Sequence, residues 1–176
     1  MNTKTKTTVF APRKDGTVEF HVMISVTDSS LGYKDQLDAV VEACAAASEG
    51  RTVHFRRFFL SDASNQAPQL QEALLSLPDA VTSVVQQPPL DGTRIAAWMY
   101  CTSPMEGSDG FFTHEGYEHH WAGSLTGEGV DSYEQMAGIF LDLDGNSASG
   151  DSPSRPTRSA LGSSPGMWMS ITTAFS

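Results

Sequence analysis

The sequence predicts an α+β fold in the order β-α-β-α-β-β, with two helices packed on one face of a single sheet. Three observations point to it. Residues 52–101 run strand, capped helix, strand, tight turn, strand, each marked by its own apolar spacing. Residues 18–48 supply a further β-rich run followed by apolar residues at helical spacing. Apolar groups concentrate in 18–101, whereas 144–166 are nearly all small, polar, Gly or Pro. A sheet covered by helices on one side leaves its opposite side in need of a partner. The expectation is therefore a homotrimer, or a pseudo-trimer made with a tandem second copy, joined through the open sheet face.

Residues 1–15 are polar and basic and read as a loose N-terminal segment. The run VEFHVMISV (18–26) is a strand, and Thr27 to Gly32 a loop. In 33–48, Leu37, Val40, Val41, Cys44 and Ala47 share one helical face, and Gly50 is a natural stop. Residues 53–60 form the next strand. Its Phe55-Arg56-Arg57-Phe58-Phe59 run breaks alternation, which suggests an exposed edge. Ser61, Asp62 and Ser64 are N-cap candidates for a helix whose Leu70, Ala73, Leu74 and Leu77 point inward and which Pro78 ends. Residues 81–86 and 94–101 are strands. The turn signal at Pro88-Pro89-Leu90-Asp91-Gly92 pairs them as an antiparallel hairpin.

Composition excludes several functions. A net charge of −10 is wrong for a nucleic-acid groove, which needs a basic face. No run reaches membrane-spanning length, and MNTKTKTTVF has no apolar signal core. With two cysteines, Cys44 and Cys101, the expectation is a cytoplasmic protein with reduced, buried thiols. HEGYEHH (114–120) is not HExxH, and DLDGNSASGD lacks the closing glutamate of a calcium loop, so no metal and no cofactor are expected. GSLTGEG is not followed by the GK[ST] of a phosphate loop. His54, Arg56 and Arg57 could meet an anion, or could be charges that protect a strand edge.

The SDASNQ helix start, the helix after it and the strand–turn–strand ending in RIAAWMY resemble the Rid (YjgF-like, endoribonuclease L-PSP) family over roughly 18–101. The resemblance implies a chorismate-mutase-like sheet, a trimer, and clefts between subunits that take a small metabolite. Archetypal members hydrolyse reactive enamines and imines, as 2-iminobutanoate/2-iminopropanoate deaminases do. The family arginine that grips the substrate carboxylate falls at Ala80 or Val81, and the water-placing carboxylate at Ala96 or Ala97. None of these side chains can do that work, so deaminase activity is not expected of this copy. Ser25, Ser83 and Gln86 remain as the candidate ligand-binding residues; no catalytic residue can be named.

Residues 16–103 are thus read as a Rid-like domain and 104–118 as a linker. Residues 119–144 resemble the start of a second copy, with a strand near 120–125 and a helix from Ser132 carrying Met136, Ile139, Phe140 and Leu143 on one face. Residues 145–176 are read as a disordered or out-of-frame tail without a strand. A shifted reading frame of GC-rich codons lets NSASGDSPS become the helix-like LRERGLSL. Two other roles stay open: a non-catalytic structural copy of a tandem protein, and a chorismatase-like hydrolase.

Overall fold

The structure is a computed structural model that describes residues 2–10, 16–105, 111–114, 117–125, 128–148 and 169–175. Its main body is α+β. Strands β1 (Thr3–Phe10), β2 (Glu19–Val26), β3 (Thr52–Leu60), β4 (Val81–Gln86) and β5 (Ile95–Thr102) form one mixed sheet in the order β1-β2-β5-β3-β4. Helices α1 (Tyr33–Ser48) and α2 (Ala63–Leu74) both cover one face of it. A three-stranded sheet of β6 (Phe111–His114), β7 (Tyr117–Leu125) and β8 (Met169–Phe175), in the order β6-β7-β8, and helix α3 (Ser132–Ala148) complete the described residues.

Local chemistry explains the helices. Helix α1 buries Leu37, Val40, Cys44 and Ala47, the face its spacing predicts. The chain leaves it through Gly50, whose φ of +66° favours glycine. Helix α2 starts at Asp62, whose carboxylate accepts from the Asn65 amide at 3.3 Å. Tyr33 donates to the Gln66 carbonyl at 3.0 Å and ties the helices together. Between helices and sheet, Val22, Ile24, Phe58, Leu60, Leu70, Ile95, Ala97 and Met99 are fully buried.

The hairpin expected of residues 81–86 and 94–101 is not formed. Strand β5 enters between β2 and β3 and runs antiparallel to both, while β4 lies at the sheet edge, parallel to β3. The reason is burial. Every β5 residue except Trp98 is buried, on both faces, and such a strand belongs in the middle of a sheet. The Gly92 turn reverses the chain (φ +78°) without fixing which strand it returns to. With β5 beside it, β3 is interior, so Arg56 and Arg57 do not guard an edge.

Three further expectations are corrected. The N-terminal segment is not loose over its whole length, because Thr3–Phe10 pairs antiparallel with β2. Its alternating Lys and Thr suit an exposed edge strand, where charge discourages further pairing. The stretch read as linker contains β6 and the start of β7. The tail contains a strand, since β8 pairs with β7 from Glu118↔Phe175 to Leu125↔Met169, and α3 runs on to Ala148. Residues 149–168 lie outside the described residues.

Candidate functional site

The face of the sheet away from the helices is the candidate site. Strand register fixes which side chains share it, because paired residues project to the same side. One row across the sheet is Lys4, Ser25, Ala96, Phe59 and Val85. The next is Lys6, Met23, Trp98, Arg57 and Ser83, and the third is Thr8, His21, Tyr100, Phe55 and Val81. A bulge between Val53 and Phe55 shifts the register at His54, whose Nε2 lies 2.9 Å from Thr102 Oγ1.

Aromatic rings make the floor. His21 stacks on Trp98 with centroids 5.7 Å apart and meets Tyr100 edge-on at 5.3 Å. Phe55 lies 5.6 Å from Trp98. From β7, Trp121 stacks on Tyr100 at 4.9 Å and on Phe55 at 5.2 Å. A strand of the following segment therefore lies against the face that the sequence left uncovered. Its approach is close at Gly123, where an added Cβ would stand 2.5 Å from the Thr82 carbonyl oxygen.

The two arginines of β3 differ. Arg56 points to the helix side, is 4% exposed, and donates from Nε to Thr82 Oγ1 at 3.3 Å. Burial pulls its pKa below the ordinary range, while Cys44, Asp79 and Cys101 nearby oppose that. Arg57 points to the open face, with its guanidinium carbon 5.5 Å from the Phe55 centroid. Burial also lowers its pKa. Both cysteines are free and buried; burial raises the Cys44 thiol to about 12 and the Cys101 thiol to about 11.

The three candidate residues are not brought together. Ser25 is on β2, beside a cleft of about 400 Å³ shared with Lys4, Thr27, Ser29, Asp91 and Thr93. Asp91 there accepts from the Thr93 amide and hydroxyl at 3.1 and 2.6 Å. Ser83 is on the same face but three strand spacings away, roughly 14 Å, and is fully buried. Gln86 belongs to the other side: its Oε1 accepts from the Ala63 amide at 3.2 Å and supports the start of α2. Side chains of the 114–120 stretch lie outside the described residues. Sequence reasoning passed over Trp121 and left Arg57 as one of three anion candidates. The break in alternation at Phe55–Phe59 was the available signal for Arg57.

No family model matches the chain, and no curated protein or solved structure matches it. Among the described residues, no helix is long and apolar enough to cross a membrane.

Proposed function

We propose that the chain is a Rid-family-like protein that binds a small reactive metabolite of the enamine or imine class on the sheet face away from its helices, where copies meet. One observation carries the reading. Both helices lie on one side of the sheet, and the other side is an aromatic floor that a strand of the following segment covers only in part. A cleft lined by Lys4 and Ser25 of that face adjoins it. Binding without hydrolysis is the activity favoured, because Ala80, Val81, Ala96 and Ala97 offer neither a carboxylate grip nor a water-placing group. Two buried free thiols agree with a reducing, cytoplasmic setting.

The test adds a freshly generated 2-imino acid and follows both ammonia release and backbone amide spectra. The expected result is saturable shifts at Ser25 and Thr93 with no acceleration of ammonia release. Acceleration would overturn binding without hydrolysis, and silent amides would overturn the imine ligand. The stacking of Trp121 on Phe55 and Tyr100 favours a second reading, in which this face serves only as a packing surface between copies. Silent amides would favour that reading.

A further inference from the structure

Strand β1 is one edge of the main sheet, with β2 its sole neighbour among the described residues. Two hydrogen bonds beyond the ends of β2 fix which backbone groups of β1 face outward. The Thr27 amide donates to the Asn2 carbonyl at 2.8 Å, and the Ser103 amide donates to the Val18 carbonyl at 2.8 Å. Antiparallel ladders alternate bonded and non-bonded pairs. Counting from Asn2 and Thr27, the bonded pairs are Lys4 with Ser25, Lys6 with Met23, Thr8 with His21 and Phe10 with Glu19. Counting from Val18 and Ser103, it is Phe20, Val22 and Ile24 that bond to β5, so the two ladders agree. The N–H and C=O groups of Thr3, Thr5, Thr7 and Val9 therefore point away from the sheet. Every residue from Lys4 to Phe10 is exposed, so this edge is open among the described residues.

An open row of main-chain donors and acceptors is a template for one more strand. Side chains decide which strand fits. Lys4 and Lys6 sit where an added antiparallel strand makes its non-bonded pairs, the closer kind, with Cα atoms about 4.5 Å apart. A second copy of β1 matches poorly. The register that aligns Thr3–Val9 in full sets Lys6 opposite Lys6, and a slip of two residues toward Thr3 sets Lys4 opposite Lys6 twice. Like charges placed directly opposite each other are destabilising. A slip the other way leaves Thr3 unpaired. Residues 1–14 carry Lys4, Lys6, Arg13 and Lys14 and no acid, in a chain of net charge −10, so the local sign favours an anionic partner.

We propose that β1 takes an extended acidic segment of another polypeptide as an added antiparallel strand, with carboxylates opposite Lys4 and Lys6. Val9 and Phe10, 56% and 50% exposed, offer that segment an apolar contact on each face at the end of the strand. The pairing groups are main-chain atoms at the sheet edge, so they are independent of a metabolite held on the sheet face.

The test uses the full chain and a synthetic peptide alternating Glu and Thr over about nine residues, a strand's length. Its twin has Lys in place of Glu. Amide exchange of β1 is followed by NMR as each peptide is titrated. The Glu peptide should slow the Thr3, Thr5, Thr7 and Val9 amides along one saturating curve and leave the Lys4, Lys6 and Thr8 amides, already bonded to β2, little changed. The Lys peptide should not saturate. Lys6→Glu should weaken the Glu peptide about fivefold, the effect of replacing a favourable cross-strand pair by a like-charged one. Thr5→Pro removes an outward N–H and spares the β2 ladder, so it should abolish saturation. Equal slowing of odd and even amides would overturn strand addition, and equal affinity for the two peptides would overturn the acidic partner. Slowing of the odd amides as the protein alone is concentrated would assign the edge to a second copy and overturn the proposal. If Thr5→Pro fails to fold, the wild-type alternation and Lys6→Glu decide.

Discussion

Replacing Gly123 by alanine tests the contact that seats β7 on the main sheet. The added Cβ would stand 2.5 Å from the Thr82 carbonyl oxygen and 3.0 Å from both Thr82 C and Val81 Cγ1. Carbon contacts are optimal near 3.5–4.0 Å, so something must retreat by about 1 Å. Two of the three atoms are β4 backbone, held to β3 by the parallel ladder, and cannot rotate away. Overpacking of this kind costs about 1–3 kcal/mol. That cost falls on β7 docking, because the core of Val22, Phe58 and Leu70 lies on the other sheet face. Hydrogen exchange of the Trp121 indole is the assay, since its ring sits 4.9 Å from Tyr100 and 5.2 Å from Phe55. Exchange should quicken by about 5- to 150-fold, the same free energy expressed as an opening equilibrium. Core amides in β2 and β5 should keep their protection. Gly138→Ala is the control: its Cβ meets nothing nearer than the Glu128 carbonyl oxygen at 3.9 Å, so β7 docking should not change. Unchanged indole exchange in Gly123→Ala would refute the close crossing.

Two other outcomes follow from buried groups. Gln36 is 0% exposed, accepts from the Arg94 amide at 2.7 Å and donates to the Leu31 carbonyl at 2.8 Å. Gln36→Leu keeps the volume and orphans both backbone groups, so urea unfolding should show a loss of about 2–4 kcal/mol; a change below about 0.5 kcal/mol, the range of a neutral surface substitution, would contradict the pinning role. The thiols of Cys44 and Cys101 are raised by burial from the ordinary 9.0 to about 12 and about 11. The folded state therefore holds protons that the unfolded state releases, so their contribution is complete below pH 9 and is lost as pH rises through 11 to 12. The slope is at most about 1.4 kcal/mol per pH unit per thiol. Urea midpoints should fall from pH 9 to 11, and Cys44→Ala should flatten that fall; an equal fall in the variant would show that the Cys44 thiol does not govern it.

Local features were legible in the sequence, and non-local ones were not. Helix α1 matches its expected span because Leu37, Val40, Cys44 and Ala47 encode one face and Gly50 encodes the stop. Asp62 was recognisable as a cap because the cap bond spans only three residues. The β4–β5 hairpin failed because a turn signal reports reversal, while sheet order depends on which strand must be buried on both sides. The β1 strand failed because Lys4, Lys6 and their threonine neighbours carry no apolar alternation; an edge strand needs little of it. The site was the least legible part. Arg57 and Ser83 meet only through a parallel pairing across α2, and Trp121 reaches Phe55 from sixty-six residues further along the chain. No residue pattern within either strand announces such a meeting.

The open face also bears on how many copies are needed. Trp121 covers Phe55 and Tyr100, in the middle and on one side of the sheet. Toward β1 the cover stops: Met23 is 37% exposed and Phe10 50%. Full burial of side chains of this size is worth about 1.5–3 kcal/mol each, so the uncovered half retains a driving force for association. That half also contains Lys4, Ser25 and the adjoining cleft, the part of the proposed imine site nearest the sheet edge. Arg57, Ser83 and Trp121 lie at the other end, already closed over by the chain's own β7. The face thus has two dissimilar halves: one that a lone chain covers, and one that gains a wall only when a second copy arrives. Affinity for a 2-imino acid at the cleft beside Ser25 should therefore follow association and fall on dilution. An affinity that stays the same across a dilution series spanning the association would show that a second copy adds nothing to that cleft.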